Sequence, residues 1–136
     1  MKKRIKNMLP SAYRAIRDHK KLSEPIDREF QAYISAMGPS ILQMGLIPTL
    51  AVYADTESGS AKDRYVILEL IKTVLIGNEA DYPEKESLSS LEGSLFEFSI
   101  SEAQNTDVKE SVLREFVLDV IVALKLSIRT FKLQSA

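Results

Sequence analysis

Residues 107–131, DVKESVLREFVLDVIVALKLSIRTF, decide the fold. Val112, Leu113, Phe116, Val117, Val120, Ile121, Leu124, Ile128 and Phe131 recur at i, i+3, i+4 spacing, the period of one helical face, over about five turns. Asp107 and Glu110 form a capping-box-like pair at its start. A second apolar strip, Leu118, Val122 and Leu126, lies on the opposite side at i, i+4, i+8. A helix apolar on two faces is either central in a bundle or covered by a partner, so this strip is a candidate partner interface. Lys125, Arg129 and Lys132 run along its edge, with Arg114 further up.

The rest of the chain repeats the helical period. Ile5, Met8, Leu9, Ala12, Tyr13 and Ile16 make one stripe, which Pro10 either kinks or shortens to a start near Leu9. Lys3, Arg14 and Lys21 lie opposite it, with Lys6 and Arg17 on the flank. Ser23-Glu24-Pro25 is a break, and Asp27 is a candidate N-cap for a helix carrying Phe30, Tyr33, Ile34 and Met37. Gly38-Pro39 reads as a helix end and a restart. Ile41, Leu42, Leu46 and Leu50 continue the stripe towards Tyr53, with a bend expected at Pro48 and a close helix approach at Gly45. After a polar loop at 55–60, Tyr65, Leu68, Ile71, Val74 and Leu75 predict a helix ending near Gly77. Residues 78–87 read as an acidic connection. Over 88–104 both periods are present. Helix is expected there because no partner strand is evident for the alternation Phe96, Phe98, Ile100. The expectation is an all-α fold, a compact single-domain bundle of about five helices spanning 1–136.

Composition narrows the chemistry. With 45% apolar residues and no cysteine, the core needs no disulfide, and thiolate metal sites and cysteine nucleophiles are excluded. The basic start Met1–Lys6 lacks a following apolar run, and 116–128 is too short and too charged to span a bilayer, so a soluble, cytoplasmic protein with no membrane partner is expected. The net charge of −1 hides an asymmetry. Residues 1–21 hold eight Lys or Arg against Asp18 alone, while 77–107 hold eight Asp or Glu against Lys85 alone. Such poles suit an anionic partner or head-to-tail contacts, and equally suit solvated helix faces.

No catalytic motif is present. His19, the single histidine, stands between Asp18 and Lys20 with no metal-ligand partner in spacing range. There is no phosphate-binding glycine loop, metalloprotease helix or nucleophile elbow. The loop at 55–66 has a superficial likeness to a calcium loop, but its glycine is one place early and Val66 stands where the bidentate Glu belongs. Glu79, Asp81, Glu84 and Glu86 read as a solvated acidic loop rather than a divalent-ion site. The chain is therefore expected to bind rather than to catalyse, without cofactor or metal.

One stretch carries more than periodicity. Tyr33, Met37-Gly38, Gly45-Leu46 and Leu50-Ala51-Val52-Tyr53 lie within Ile26–Tyr53, and this pattern resembles the signature of the small-subunit family of type III-B CRISPR (Cmr) effector complexes. The basic N-terminal helix with Leu9-Pro10, Lys62-Asp63-Arg64 and the stretch 124–131 add support; residues 77–106 carry no part of it. Met37, where Phe is usual, and Pro39 depart from the pattern. The resemblance implies an all-helical, non-catalytic subunit stacked as an inner filament in antiviral defence. Its implied partners are neighbouring copies, the repeated backbone subunit, the polymerase-like large subunit, and the guide RNA and target RNA whose groove it helps line. The signature residues are packing determinants, so the candidate RNA contacts come from charge: Arg14, Arg17 and Lys21 on the first helix and Lys125, Arg129 and Lys132 on the last. Phosphate contact and protein contact remain equally open for each. An adaptor that binds only protein, through Leu118, Val122 and Leu126, is the alternative.

Overall fold

The computed structural model describes residues 1–56 and 63–134, so the centre of the polar loop at 55–60 and the positions bearing on its likeness to a calcium loop lie largely outside the described residues. Among the described residues the chain forms seven helices: α1 (Lys3–Asp18), α2 (Arg28–Met44), α3 (Leu46–Ala54), α4 (Tyr65–Ile76), α5 (Lys85–Ser90), α6 (Leu95–Asn105) and α7 (Asp107–Ile128). The all-α expectation holds. Seven helices replace the expected five or so, chiefly because the stretch 85–105 divides at 91–94 into two separate helices.

Two prolines sit inside continuous helices. α1 passes through Pro10 and α2 through Pro39. Each proline removes one donor and frees the carbonyl four residues back. Here Lys6 and Pro10, and likewise Ser35 and Pro39, are exposed, so water can satisfy the freed carbonyl. The break expected at Gly38-Pro39 falls instead at Gly45, whose φ of 96° ends α2 and turns the chain into α3. Gly45 therefore serves its backbone conformation, which an L side chain adopts only at a cost. Among the described residues no helix crosses closely there, since a side chain at 45 would meet only Pro48 Cδ at 3.8 Å. Pro48 falls in the first turn of α3, where its missing N–H costs nothing.

The acidic connection is more structured than expected. It holds a 3₁₀ turn at Asn78–Ala80 and leads into α5. Tyr82 between them is fully buried, its ring against Phe98 and Phe116 at 6.4 and 5.1 Å. Residues 88–104 are helical apart from the break at 91–94, after which the Ser94 hydroxyl accepts the Glu97 N–H and caps α6. Asp27 caps α2 as expected, its carboxylate accepting the Glu29 N–H at 2.9 Å. The cap of α7 is one residue earlier than the Asp107–Glu110 pair: the Thr106 hydroxyl accepts the Lys109 N–H at 3.0 Å, leaving both acids in the first turn, where they suit the helix dipole.

α7 is the central element. It packs against α1, α2, α4 and α6, with Leu113, Val117, Val120, Leu124 and Ile128 completely buried. One core cluster draws residues from all seven helices. After α7 the chain turns back, and Leu133–Gln134 (β2) pairs in parallel with Ile26–Asp27 (β1). The Lys132 carbonyl accepts the Ile26 N–H, and the Glu24 carboxylate accepts the Lys132 N–H, both at 2.7 Å. These bonds fix the chain just beyond α7 against the start of α2. No helix among the described residues is long and apolar enough to cross a membrane.

Candidate nucleic-acid interface

The two basic edges expected from the sequence differ in how they are held. Arg14 and Arg17 lie on α1, but Lys21, expected on the same helix, falls in the turn after it, because α1 ends at Asp18; each of the three has an acidic neighbour within the chain. Arg14 Nη2 donates to Glu79 Oε1 at 2.8 Å. Arg17 forks onto its neighbour Asp18 through Nε and Nη2 at 2.8 and 3.1 Å. That pairing raises the Arg17 pKa and lowers that of Asp18, chiefly through the hydrogen bonds themselves. Lys21 Nζ lies 4.0 Å from Asp63 Oδ1. These pairs are largely open to solvent and individually weak, so an incoming phosphate competes with them, although Glu79 is half-buried with its Oε2 unpartnered among the described residues.

The α7 edge is different. Among the described residues, Lys125, Arg129 and Lys132 have no carboxylate partner within salt-bridge distance. Lys125 and Arg129 are one turn apart at the end of α7, and Lys132 follows in the segment anchored by Glu24 and Ile26. Three cations on a fixed backbone, with no salt bridge among the described residues and the Glu24 carboxylate at the Lys132 N–H as the near acid, are suited to phosphate.

The fold joins the two edges at one end. The Tyr13 ring stacks on Phe131 with centroids 5.0 Å apart and planes 22° from parallel. Arg17 Cζ lies 6.0 Å from the Tyr13 centroid. Arg129 and Lys132 flank Phe131 in sequence. Tyr13, which by spacing belongs to the α1 apolar stripe, is 41% exposed.

Not every basic residue near the N-terminus is free. Lys2 Nζ donates to Asp119 Oδ1 at 3.2 Å and Arg4 Nη1 to Asp119 Oδ2 at 2.9 Å, while Arg4 Cζ sits 3.9 Å above the Phe116 ring. Asp119 is only 6% exposed. In the sequence it is simply a charge interrupting an apolar stretch; in the fold it is the buried acceptor that pins the start of α1 to the middle of α7.

The strip Leu118, Val122 and Leu126 is mostly covered from within. Leu118 and Leu126 pack against the core, and Val122 is 39% exposed. A larger apolar exposure lies where spacing predicts a packed stripe. Residues 30–54 contain no charged side chain, yet Leu42 is 76% exposed, and Met44 and Val52 are also on the surface. Spacing misses this because the break at Gly45 separates Leu42 from Leu46 and Leu50, and within α2 the buried face is Phe30, Ile34, Met37 and Ile41, which leaves Leu42 to the side. The absence of charge over 25 consecutive residues is the signal that could have found it.

Other polar groups are tied locally, although Glu102 Oε1 and the Tyr82 hydroxyl are buried without a hydrogen-bond partner among the described residues. His19 Nδ1 accepts the Lys21 N–H at 3.1 Å, so its proton resides on Nε2, which donates to Glu69 at 2.9 Å. In the acidic connection, Glu79 pairs with Arg14 and Glu84 lies 3.8 Å from Lys109. Among the described residues no group of three or more His, Asp or Glu is placed to hold a metal ion.

Comparison with curated proteins and with solved structures gives no match. A family model does match, that of CRISPR-associated protein (Cas_Cmr5), over residues 4–109. The match takes in 77–106, where the sequence shows no signature residue, and stops before the stretch 124–131 that lends the resemblance support. It spans α1 to the start of α7, well over half of the chain, and the chain therefore belongs to the Cas_Cmr5 family of CRISPR-associated proteins.

Proposed function

We propose that this chain is a non-catalytic small subunit of a type III-B Cmr effector complex in the cytoplasm, and that it stacks beside the backbone and large subunits and helps line the groove holding guide RNA and target RNA. Family membership supports the place in a Cmr complex. The observation that carries the RNA contact is the α7 edge: Lys125, Arg129 and Lys132 form no salt bridge among the described residues, whereas Arg14, Arg17 and Lys21 are paired. Such contacts supply affinity without base choice, which suits a complex whose guide does the reading by base pairing. Arg14, Arg17 and Lys21 extend the same surface once phosphate displaces their acidic partners.

The uncharged α2–α3 face, with Leu42, Met44 and Val52 on the surface, favours a second reading in which the chain is an adaptor touching protein alone. Assembly of the complex with and without this chain separates the two. The RNA-lining subunit strengthens target RNA binding and loses that effect on charge reversal of Arg129 and Lys132. The adaptor restores assembly equally well with either sequence. RNA hydrolysis by the purified chain, dependent on a divalent ion and abolished by Glu84→Gln with Glu86→Gln, would overturn the non-catalytic reading.

A further inference from the structure

The geometry points to the Tyr13–Phe131 stack as a platform for an unpaired RNA base, a site that reads the presence of a base rather than its identity. This inference rests on the RNA-lining reading and adds to it a contact of a different chemical kind.

Three observations converge on it. The first is exposure. Phe131 is half-buried and packs against the core, and Tyr13, stacked on it at 5.0 Å, is 41% exposed. A ring held nearly parallel to a partner already has its orientation fixed, so a base stacking on the exposed part loses little further freedom. The second is rigidity. Tyr13 lies inside α1, and Phe131 lies between the end of α7 and the β1–β2 pair, its N–H donating to the Ile128 carbonyl at 3.2 Å. The third is charge. Arg17 Cζ lies over the Tyr13 ring, 6.0 Å from its centroid, and Arg129 and Lys132, two residues before and one after Phe131 in the sequence, form no salt bridge among the described residues. Of the nearby acids, Asp18 is neutralised by Arg17, and Glu24 is held on the Lys132 N–H, where its charge stays beside the segment that carries the Lys132 ammonium.

An aromatic face among cations matches the way proteins hold single-stranded nucleic acid: bases stack on rings while Lys and Arg take the phosphates. Every base has a π-face, so the contact is sequence-tolerant. A paired base inside the guide–target duplex has both faces occupied by its neighbours. The nucleotide at this platform is therefore unpaired, at an end of the duplex or displaced from it.

The test uses the full chain and two fluorescein-labelled probes of equal length and charge: a twelve-nucleotide oligouridylate and its abasic counterpart. Affinity is read by anisotropy at two salt concentrations. The site predicts that the base-bearing RNA binds about fivefold or more tightly, the worth of one base–aromatic stack. Tyr13→Leu fills the space without a π-face and removes that preference, while Tyr13→Phe keeps it; melting curves confirm that both variants are folded. Equal binding of the two probes by the wild-type chain, with the salt dependence intact, overturns the platform but leaves the RNA-lining reading standing. Absence of salt-dependent binding to either probe overturns both. A Tyr13→Leu chain that keeps the base preference but no longer assembles with the other Cmr subunits marks the stack as a protein contact and overturns the inference.

Discussion

Replacing Asp119 by Ala tests how α1 is held to the bundle. The wild-type carboxylate, 6% exposed, accepts charged hydrogen bonds from Lys2 and Arg4 at 3.2 and 2.9 Å. A hydrogen bond to a charged group is worth about 1.5–3 kcal/mol. Lys2 and Arg4 are 54% and 32% exposed, however, so both return to water when the acceptor is removed and neither is stranded. That removes most of the penalty that makes broken buried pairs so costly. The expected loss is about 2 kcal/mol, well above the 0–1 kcal/mol of an exposed pair such as Arg14–Glu79. For a chain of this length it lowers Tm by roughly 8 °C. Urea denaturation followed by far-ultraviolet circular dichroism reads the change, since the chain has no tryptophan. Arg4→Met in the Asp119→Ala background should cost less than Arg4→Met in the wild type, because the partner is already gone. A loss under about 0.5 kcal/mol, or strict additivity of the two changes, refutes the role given to Asp119.

Other outcomes follow from single groups. Tyr82 is buried and its hydroxyl has no hydrogen-bond partner among the described residues, so Tyr82→Phe should be neutral or stabilising by up to about 1 kcal/mol. Tyr53 donates its hydroxyl to the Tyr33 carbonyl, so Tyr53→Phe should destabilise by about 1 kcal/mol; denaturant midpoints rank the pair. Burial pushes the Tyr53 hydroxyl up from 10 to about 12 and raises Tyr82 further. A phenol with a raised folded-state pKa contributes stability that is intact below pH 10 and is lost as pH climbs towards 12, so alkaline titration at 295 nm should show these tyrosines ionising late and together with unfolding. Gly45→Ala, forced to φ 96°, should cost about 1–2 kcal/mol, and Thr106→Ala about 1 kcal/mol through loss of the α7 cap, both measurable by thermal melts.

The unequal legibility of the fold in the sequence has physical causes. α7 is plain because packing on several helices demands an unbroken apolar period, which leaves its trace in spacing alone. Breaks are harder to read. A proline on a solvent-facing side costs a helix one hydrogen bond that water replaces, so Pro10 and Pro39 leave no break, while Gly45 makes one because it takes a positive φ that glycine adopts without cost. Tyr82 and Asp119 belong to tertiary pairings that no local pattern records: one fits among Phe98 and Phe116, the other meets residues more than a hundred positions away. The six basic residues are visible as charge, but which of them have internal counter-ions depends on the chain path. Leu42 shows the converse error, since its spacing with Leu46 and Leu50 argues for burial, but the helix ends at Gly45 and Leu42 lies off the buried face of α2.

The central claim is that the α7 edge faces RNA in the assembled complex, and the salt dependence of target RNA affinity addresses it most directly. Each phosphate deprived of its protein cation makes log K against log salt shallower by about 0.7 for single-stranded nucleic acid. With Lys125, Arg129 and Lys132 all changed to Glu and assembly verified, the slope should become shallower by about 2 or more, with weaker binding at low salt. Reversing Lys2 and Arg4, which are already committed to Asp119, should change it far less. An unchanged slope and affinity in the α7 variant would contradict the account.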